Sequence, residues 1–507
     1  MGTYKSDGKD LRMTQFTVTT PAGQFRADQD ARLLDILRGA GHQVPTDCGG
    51  SGVCGKCAVE ILSAGGRQTV LSCQYLVRED LTVLTPDRAA DILKTAEDPS
   101  RIPYGGHYAA VDLGTTGVSA YLRDGDRGFR LNRMNVLRSF GSDVISRVSA
   151  IMEQNALRRC SEMLKKQMRD MVLELCRTHG VPVPERICIG GNTIQQHLLA
   201  GVDPMPITVY PFTPPTLFRG EDRFLDLGEG LTAELMPCVA GYFGGDLTAG
   251  LYGLEDQSAD GVSLLIDIGT NGEVALIRGG QVTCCAVASG PAFEGGNLSC
   301  GMPGLDGAVD RVFLRDGAPQ WTVIGDCAPR GICGSGVIDL TAALLKLGIV
   351  DETGRFLPPS ETGLSFPGYA EDSDGNGIYT LSDGVFFTAR DVRMIQMAKA
   401  ALAAGIQTLL RESGTQAHEV SRVILAGSFG TLMDPDSVTA IGMLPAVFRN
   451  RCVPGGNTCL RGSAMAASLP DSAAELAAIA DRCRYIELSL SNEFNESYIE
   501  NMMFAEV

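Results

Sequence analysis

The stretch YAAVDLGTTGVSAYL, residues 108–122, decides the fold of this chain. An apolar run ends at Asp112, a turn of small residues follows, and a second apolar run leads away, which is the pattern of two strands joined by a tight turn. Residues 262–276, VSLLIDIGTNGEVAL, repeat this pattern, and Asp267 stands 155 residues after Asp112. Because solenoid repeats have much shorter periods, this spacing predicts a duplicated domain with two similar halves.

Both turns are candidates for binding phosphate. A carboxylate at a strand end can hold Mg2+ through water, and small turn residues let backbone N–H groups and threonine hydroxyls reach phosphate oxygens. A single turn of this kind is more often an ordinary hairpin, and neither copy is a P-loop. Its occurrence in both halves favours the phosphate-binding interpretation. The predicted binding residues are Asp112, Gly114, Thr115 and Thr116 in the first turn and Asp267, Gly269, Thr270, Asn271 and Gly272 in the second.

A cysteine-rich loop near the start of the chain is the strongest single motif. Residues 48–57 read CGGSGVCGKC, and with Cys73 the spacing is C-x5-C-x2-C-x15-C. Thiolates bind iron, and glycines between them let the backbone wrap around a cluster. We therefore expect Cys48, Cys54, Cys57 and Cys73 to bind one 2Fe–2S cluster. A four-cysteine zinc site stays open as the alternative, although zinc knuckles usually pair two CxxC units and only one is present here.

Composition and charge limit the class of protein. The chain has 507 residues, of which 44% are apolar and 20% charged, as is typical of globular proteins. Its formal charge of −17 and the lack of a basic patch argue against nucleic acid as a partner. No stretch has the roughly 18 uncharged apolar residues of a membrane helix, and the polar start lacks the apolar core of a signal peptide. We expect a cytoplasmic protein that does not bind membranes.

The order of the predicted elements divides the chain into four parts. A polar extension covers residues 1–13, and residues 14–85 show the order strand, strand, helix, loop, strand, strand of a small α+β domain. Residues 86–106, with three prolines among charged and small residues, form a linker. The α/β part covers 107–507, with one lobe at about 107–258 and the other at about 259–507. Its first long helix, about 143–179, is expected to break near Asn155.

These motifs resemble known families. The loop at residues 47–57 resembles the cluster loop of 2Fe–2S ferredoxins, although plant-type members have one residue fewer between the first two cysteines. The paired turns resemble the phosphate-1 and phosphate-2 hairpins of the superfamily of acetate and sugar kinases, heat-shock-70 proteins and actin. Residues 426–430, AGSFG, resemble its adenosine motif, which implies that Gly427, Ser428, Phe429 and Gly430 contact the nucleoside.

A narrower resemblance covers nearly the whole chain after residue 14. The segments GGNT (190–193), GYFGGD (241–246), ASGPAFEGG (288–296), GICGSG (331–336) and YIELS (485–489) follow one another in this order. Together with the cysteine loop, they resemble the reductive activators of corrinoid proteins. The resemblance implies an α+β ferredoxin-like (β-grasp) N-terminal domain joined to a two-lobed α/β ATPase domain of the actin and sugar-kinase type.

The same resemblance implies the activity. Such a protein would reduce a corrinoid protein from cobalt(II) to cobalt(I) through its 2Fe–2S cluster, with Mg2+ and ATP, and would receive electrons from an external donor. ATP binding and hydrolysis would act through a conformational change, because phosphoryl chemistry does not touch the electron directly. The resemblance leaves a homodimer open.

Three acids are candidates for positioning the water that attacks ATP. They are Asp246 in a glycine-rich turn, Glu273 just after the second phosphate turn, and Glu294 in another glycine-rich turn. Each is equally well explained as a capping or fold-stabilising carboxylate, and Asp246 in particular is placed to N-cap a helix at 247–251.

Two other functions use the same parts. A small-molecule kinase with a fused ferredoxin has the same two-lobed clamp, so the fold alone does not separate it from an activator. A nucleotide-dependent regulator or scaffold, whose cluster only senses oxygen, also fits the motifs. A phosphorylated product would favour the first, and a cluster that never passes its electron on would favour the second.

Overall fold

The computed structural model divides the chain into two compact units. It describes residues 14–42, 44, 46, 50, 52, 57–84, 102, 105–141, 143–254, 261–269 and 271–504, apart from the side chains of residues 428 and 429. The first unit contains the described residues as far as Leu84 together with Leu137–Gly141, and the second contains the rest. The predicted extension 1–13 and most of the predicted linker 86–106 lie outside the described residues.

The first unit is a mixed sheet with one helix among its described residues. Strands β1 and β7 at its centre run parallel, whereas the other neighbours are antiparallel, in the order β2-β1-β7-β4-β5. This is the predicted β-grasp arrangement. The elements are β1 (Gln15–Thr20), β2 (Gly23–Asp28), β3 (Ala31–Arg32), α1 (Leu33–Gly39), β4 (Ala58–Ser63), β5 (Gly66–Leu71), β6 (Leu76–Val77) and β7 (Leu81–Val83).

Helix α1 supplies the core of this unit. Its leucines Leu33, Leu34 and Leu37 are fully buried, and they pack with Val18 and Ile61 of the sheet. Asp35 lies in the first turn of the helix and Arg38 in the last, so both charges complement the helix dipole. The apolar stripe of α1 and its packing on the sheet therefore account for the position of the helix.

The second unit contains two large sheets. The strands of the first are β8 (His107–Leu113), β9 (Gly117–Asp124), β10 (Arg127–Met134), β11 (Ile187–Gly191), β12 (Phe224–Gly228) and β13 (Leu231–Leu235). Those of the second sheet and of two smaller ones are β14 (Val262–Ile268), β15 (Gly272–Arg278), β16 (Gln281–Val287), β17 (Ala308–Arg315), β18 (Ala318–Val323), β19 (Gly331–Ile332), β20 (Tyr369–Glu371), β21 (Gly377–Ser382), β22 (Val385–Thr388), β23 (Val420–Ala426), β24 (Cys452–Gly456) and β25 (Cys483–Ile486).

The helices of this unit lie between and around the sheets. They are α2 (Val144–Glu153), α3 (Leu157–His179), α4 (Thr193–Ala200), α5 (Met205–Thr208), α6 (Gly245–Tyr252), α7 (Gly334–Lys346), α8 (Pro359–Thr362), α9 (Ala389–Glu412), α10 (Gly427–Gly430), α11 (Pro435–Ala440), α12 (Thr458–Ser468), α13 (Ser472–Arg482) and α14 (Asn492–Glu500). The break predicted near Asn155 falls between α2 and α3, where Asn155 has a φ of 50°. Such a left-handed residue ends a helix.

The duplication read from the sequence is present in the topology. The first sheet has the order β10-β9-β8-β11-β13-β12, and the second has the order β24-β23-β14-β15-β16-β25. In each half, three antiparallel strands are followed in space by two parallel ones, β11 and β13 or β23 and β24. Residues 108–122 and 262–276 thus form the central hairpins of two equivalent sheets.

Helices α6 and α12 fill the space between the two sheets. The shared core includes Tyr108 and Cys188 from the first sheet and Leu265 and Ile424 from the second, with residues of both helices among them. Helix α12 follows strand β24 of the second sheet in the chain, yet it packs on β8 and β11 of the first. This crossing ties the end of the chain to its first half.

Glycines allow α6 and α12 to approach closely. A Cβ at Gly462 of α12 would lie 1.7 Å from the carbonyl oxygen of Ala249 in α6, and one at Gly253 would lie 2.7 Å from the Gly462 nitrogen. No larger side chain fits at this crossing without moving a helix. Within the described part of the chain, none of the helices has both the length and the apolar character needed to cross a membrane.

Candidate functional site

A cleft in the second unit collects most of the predicted binding residues. Including its open mouth it encloses about 1130 Å3, and the ends of strands β8, β11, β14 and β23 meet there. The predicted residues that line it are Asp112, Gly114, Thr115, Thr116, Asp246, Asp267, Gly269, Asn271, Glu273, Glu294 and Gly427. The two halves of the duplication therefore contribute to one site, although their turns are far apart in the chain.

The two hairpins that enter the cleft differ in register. In the first, Asp112 pairs with Ser119, whereas in the second Asp267 pairs with Glu273. The second turn is one residue shorter as a result. It also places a carboxylate opposite its aspartate, where the first hairpin has a hydroxyl group.

The first turn is held from behind by hydrogen bonds to its carbonyl oxygens. Asn135 donates from Nδ2 to the Gly114 oxygen at 2.8 Å and from its backbone N–H to the Thr116 oxygen at 2.9 Å. Arg147 donates from Nη2 to the Thr115 oxygen at 2.8 Å. These donors lie outside the cleft lining, so the carbonyl oxygens are held away from an anionic ligand.

Glu294 contacts both turns. The Thr116 hydroxyl donates a hydrogen bond to its carboxylate, and a Cβ at Gly269 would lie 3.6 Å from Glu294 Oε1. Glu294 comes from the segment after β16, in a short helical turn that ends at Gly295 with a φ of 75°. The carboxylate therefore lies where the two halves of the cleft meet.

Asp112 is held by residues that the sequence motifs did not include. Asn457 donates from Nδ2 to Asp112 Oδ2 at 2.6 Å, and its Oδ1 caps helix α12 by accepting from the Leu460 N–H at 2.7 Å. The Cys459 thiol also hydrogen-bonds to Asp112. Helix α12 thus begins at the cleft and orients the first aspartate.

Gly427 has the corresponding place beside Asp267. It has a φ of 84°, and a Cβ there would lie 2.5 Å from Asp267 Oδ1, so both the backbone angle and the space require glycine. Of the other predicted nucleoside and turn residues, Gly430 lies in helix α10 behind the lining, and Gly272 begins β15 against Val287. Thr270 and the side chains of Ser428 and Phe429 lie outside the described part.

Asp246 lies inside the first turn of α6 and is not its N-cap. The N-cap is Gly244, and Asp246 Oδ1 accepts from the Leu247 N–H at 2.8 Å. The close packing of this turn depends on glycine, since a Cβ at Gly244 would lie 2.4 Å from the Thr193 nitrogen. The prediction that Asp246 is the N-cap of this helix is therefore wrong. Asp246 instead lines the cleft.

Burial and mutual repulsion raise the pKa values of the cleft carboxylates. Burial, followed by repulsion from Asp112, raises the pKa of Asp246 to about 7. Burial, followed by repulsion from Asp246 and Asp112, raises the pKa of Asp267 to about 8. Burial also raises the pKa of Asp112, against the lowering effect of Asn457, and raises that of Glu273 well above its usual value. Of these four groups, Asp246 and Asp267 therefore exchange protons near neutral pH.

The charge of the cleft fits a magnesium nucleotide. Among the described lining residues there is no lysine or arginine, so the charged side chains that an anionic triphosphate would meet there are all carboxylates. A divalent cation removes this repulsion. The described residues contain no group of three or more His, Cys, Asp or Glu side chains placed to hold a metal ion.

Several other lining residues were not identified from the sequence. One of them, Asn192, belongs to the GGNT segment. The others are Gly117, Ser119, Ile268, Gly304, Ile324, Cys333, Ser335, Leu432, Asn457 and Cys459. Ile324 and Leu432 are apolar members of the lining. The only sequence feature that could have indicated Cys333 and Ser335 is the GICGSG segment at residues 331–336.

In the first unit, two of the four predicted cluster ligands are described and lie together. The Cys57 and Cys73 sulfur atoms are 3.2 Å apart, and both residues are buried. The turns that carry them are joined by hydrogen bonds from the Ser72 N–H and hydroxyl group to the Cys57 oxygen, at 3.0 and 2.9 Å. Two thiols at this distance can serve one metal centre. Cys48 and Cys54 lie outside the described residues.

Two glycines of the cysteine loop, Gly50 and Gly52, have backbone conformations that favour glycine. Gly50 and Gly52 have φ angles of 102° and 90°, which disfavour other residues. A Cβ at Gly50 would also lie 2.9 Å from Leu34 Cδ2, and one at Gly52 would lie 2.8 Å from Gln74 Nε2. The loop thus follows a path that only glycine permits at these two positions.

Three family models match the chain along nearly its whole length. Residues 17–78 match the 2Fe-2S iron-sulfur cluster binding domain, residues 108–257 the RACo middle region, and residues 261–507 the C-terminal domain of RACo, the ASKHA domain. The chain is therefore similar to RACo over residues 108–257 and 261–507. In RACo terms, the middle region holds the first of the two duplicated sheets and the ASKHA domain holds the second.

Named relatives agree with this assignment. The chain is 26% identical over 581 residues to the corrinoid activation enzyme RamQ of Eubacterium limosum, covering 95% of this chain and 98% of the relative. It is 27% identical over 266 residues to the [Co(II) methylated amine-specific corrinoid protein] reductase of Methanosarcina barkeri, covering 47% and 45%. It also resembles a solved structure, the reductive activator for corrinoid, iron-sulfur protein, with a TM-score of 0.68, 25% identity and coverage of 96% and 98%.

Proposed function

We propose that this chain is an ATP-dependent reductase that restores cobalt(II) in a corrinoid protein to cobalt(I). One electron would pass from the 2Fe–2S cluster to the cobalt, and an external one-electron donor would reload the cluster. The names of the relatives, which describe activators and reductases of corrinoid proteins, support the substrate class. The cluster-binding and ASKHA domains support the two cofactors.

The observation that carries the proposal is the cleft formed by the two duplicated turns. It joins phosphate-type turns from both sheets, and its carboxylates lack a cationic side chain among the described lining. Thr115, Thr116 and Asn271 would contact phosphate oxygens, as would Thr270, which lies outside the described residues. Asp112 and Asp267 would hold Mg2+ through water, and Gly427 would lie against the nucleoside.

Hydrolysis would be assisted by the acids that face the phosphate turns. Asp246 would act as the general base, since it lines the cleft from the first turn of α6 and burial raises its pKa. Glu294, which contacts both turns, and Glu273, opposite Asp267, would position the water and the turns. Closure of the cleft on Mg-ATP would change the affinity for the cobalt(II) partner, and hydrolysis would release it.

The cluster would be bound in the first unit by Cys48, Cys54, Cys57 and Cys73. The close approach of Cys57 and Cys73 supports this assignment for two of the four. The cluster supplies one-electron chemistry when bound. The protein's own part would be to hold three thiolates in the loop that contains Gly50 and Gly52 and the fourth at Cys73.

The decisive experiment follows cobalt absorbance in a panel of corrinoid methyl-transfer proteins loaded as cobalt(II). Reduced full-length protein should convert at least one of them to the cobalt(I) spectrum with Mg-ATP and should do so far more slowly without it. The matched control is Asp267→Asn, which should keep the cluster spectrum but lose most ATP hydrolysis and most reduction. Equal rates with and without ATP, or ATP hydrolysis without reduction of any panel member, would contradict the proposal.

A further inference from the structure

Asn192 is a buried side chain whose orientation is fixed. It follows strand β11 and caps helix α4, because its Oδ1 accepts a hydrogen bond from the Ile194 N–H at 3.0 Å. Reversing the amide would place two N–H groups against one another, so the oxygen must face the helix. The Nδ2 group of the amide therefore points away from the helix.

The Nδ2 group has no hydrogen-bond partner among the described residues. Asn192 is only 4% exposed, and it lines the cleft. Buried amide donors are nearly always paired, because leaving one without a partner costs free energy. A buried donor in the wall of a cleft therefore indicates an acceptor on a ligand.

The position of Asn192 narrows the choice of ligand atom. Strand β11 pairs in parallel with β8, with Gly190 opposite Asp112 and Gly191 opposite Leu113, so Asn192 follows at the same edge as the first phosphate turn. On its other side, a Cβ at Gly244 would lie 2.8 Å from the Asn192 carbonyl carbon. Gly244 begins the helix that carries Asp246. Asn192 thus lies between the first turn and the proposed base.

We infer that Asn192 Nδ2 donates a hydrogen bond to an oxygen of the terminal phosphoryl group of ATP. This rests on the proposed function and adds a residue that senses the terminal phosphate. The neighbouring side chains are carboxylates, which repel phosphate, whereas a neutral amide donor attracts it without adding charge. ADP lacks this phosphoryl group, so the contact distinguishes ATP from ADP.

The test compares nucleotides in two variants of the full-length protein. Asn192→Thr and Asn192→Ser both keep an oxygen that caps α4 and add no charge, but neither keeps the amide donor. Binding of Mg2+ with the β,γ-imido analogue of ATP should weaken about tenfold or more by calorimetry, since a hydrogen bond to a charged group is lost. Binding of Mg-ADP should change less than twofold, and the thermal midpoint should stay near that of the wild type.

The control is Ser491→Asn, which exchanges capping residues at helix α14, outside the cleft lining. It should leave both nucleotide affinities unchanged. If the binding of both nucleotides weakens equally, Asn192 has a structural role and the inference is overturned. Unchanged affinities for both nucleotides would also overturn it. Slower hydrolysis with unchanged binding of the analogue would place the amide on the attacking water and would also overturn it. If the wild type binds neither nucleotide, the proposed function itself fails.

Discussion

At the scale of single residues, the buried carboxylates of the cleft repel one another when they are ionised. Asp246 and Asp267 are buried near one another and near Asp112, and both have raised pKa values. Such groups favour the folded state while they carry protons. A buried carboxylate that must ionise in the folded protein lowers the free energy of unfolding.

The thermal stability of the metal-free protein should therefore fall as the pH rises. The pKa values in the folded state are about 7 for Asp246 and about 8 for Asp267, both above those of the unfolded chain. The stabilisation is complete below pH 4, the usual range of an unfolded aspartate, and is lost as the pH rises through 7 and 8. Calorimetry between pH 6 and 8.5 should show the second unit losing on the order of 5 °C.

Magnesium should reverse this loss, because a cation favours the ionised carboxylates. The Asp246→Asn variant, which cannot ionise at that position, should lose less stability over the same pH range. A midpoint that rises with pH in the wild type, or a variant with the same slope as the wild type, would contradict the assignment of these pKa values.

Sequence reasoning at this scale found the acids but not their partners. Asp112 and Asp267 were predicted because each ends an apolar run before a turn of small residues. Asn457 was not, since it lies 345 residues from Asp112 in the chain and only the packing of α12 brings them together. Cys459, which also hydrogen-bonds to Asp112, depends on the same packing. Local patterns do not reveal contacts of that range.

At the scale of elements, the crossing of α6 and α12 holds the two sheets around the cleft. Both helices begin at the cleft, one with Asp246 and the other next to Asn457. The distance between their backbones is set by Gly253 and Gly462. The crossing therefore controls both stability and the position of two functional side chains.

The substitution Gly462→Ala should destabilise the protein and weaken nucleotide binding. Its methyl group would meet the Ala249 carbonyl oxygen at 1.7 Å, so the helices must separate, at a cost of about 1–3 kcal/mol for an overpacked core. Urea unfolding measures the first effect and calorimetric binding of Mg-ADP the second. Gly39→Ala is the matched control, since it lies in helix α1 with no atom within 4 Å of the new methyl group, and it should leave both unchanged or slightly raise stability. A stable Gly462→Ala protein with normal binding would contradict this role.

Elements with a strong local pattern were predicted, and those that depend on distant contacts were not. The helix break at Asn155 and the strands β8, β14 and β23 follow from apolar periodicity and turn residues. Strand β5 was missed because it is mostly exposed and lacks a buried face. The sheets formed by β17–β19 and β20–β22 were missed as well, since their short strands pair across loops of the second half.

At the scale of the whole molecule, each unit has its own core and its own chemistry. The core of the first unit surrounds α1 and the cysteine pair, and those of the second surround its two sheets. Neither the cluster ligands nor the cleft residues are shared. Electron transfer and ATP hydrolysis should therefore be separable by substitution.

The double substitution Cys57→Ser with Cys73→Ser should remove the cluster and cobalt reduction but leave ATP hydrolysis largely intact. Anaerobically purified wild type should hold about two irons per chain, as one 2Fe–2S cluster requires. Iron analysis, hydrolysis and cobalt absorbance are measured on the same preparations. Cys327→Ser, at an exposed cysteine, is the control and should keep its iron. Full iron content in the double variant, or zinc in the wild type, would contradict the assignment.

The one-residue difference between the two central hairpins makes the two sides of the cleft unlike. Two identical halves related by a twofold axis would treat both ends of a linear phosphate chain alike, so a bound chain could lie either way round. The shorter second turn and the carboxylate of Glu273 opposite Asp267 remove that equivalence. The duplication gives the cleft two copies of one hairpin. Because the two copies differ, a phosphate chain can bind in one orientation only.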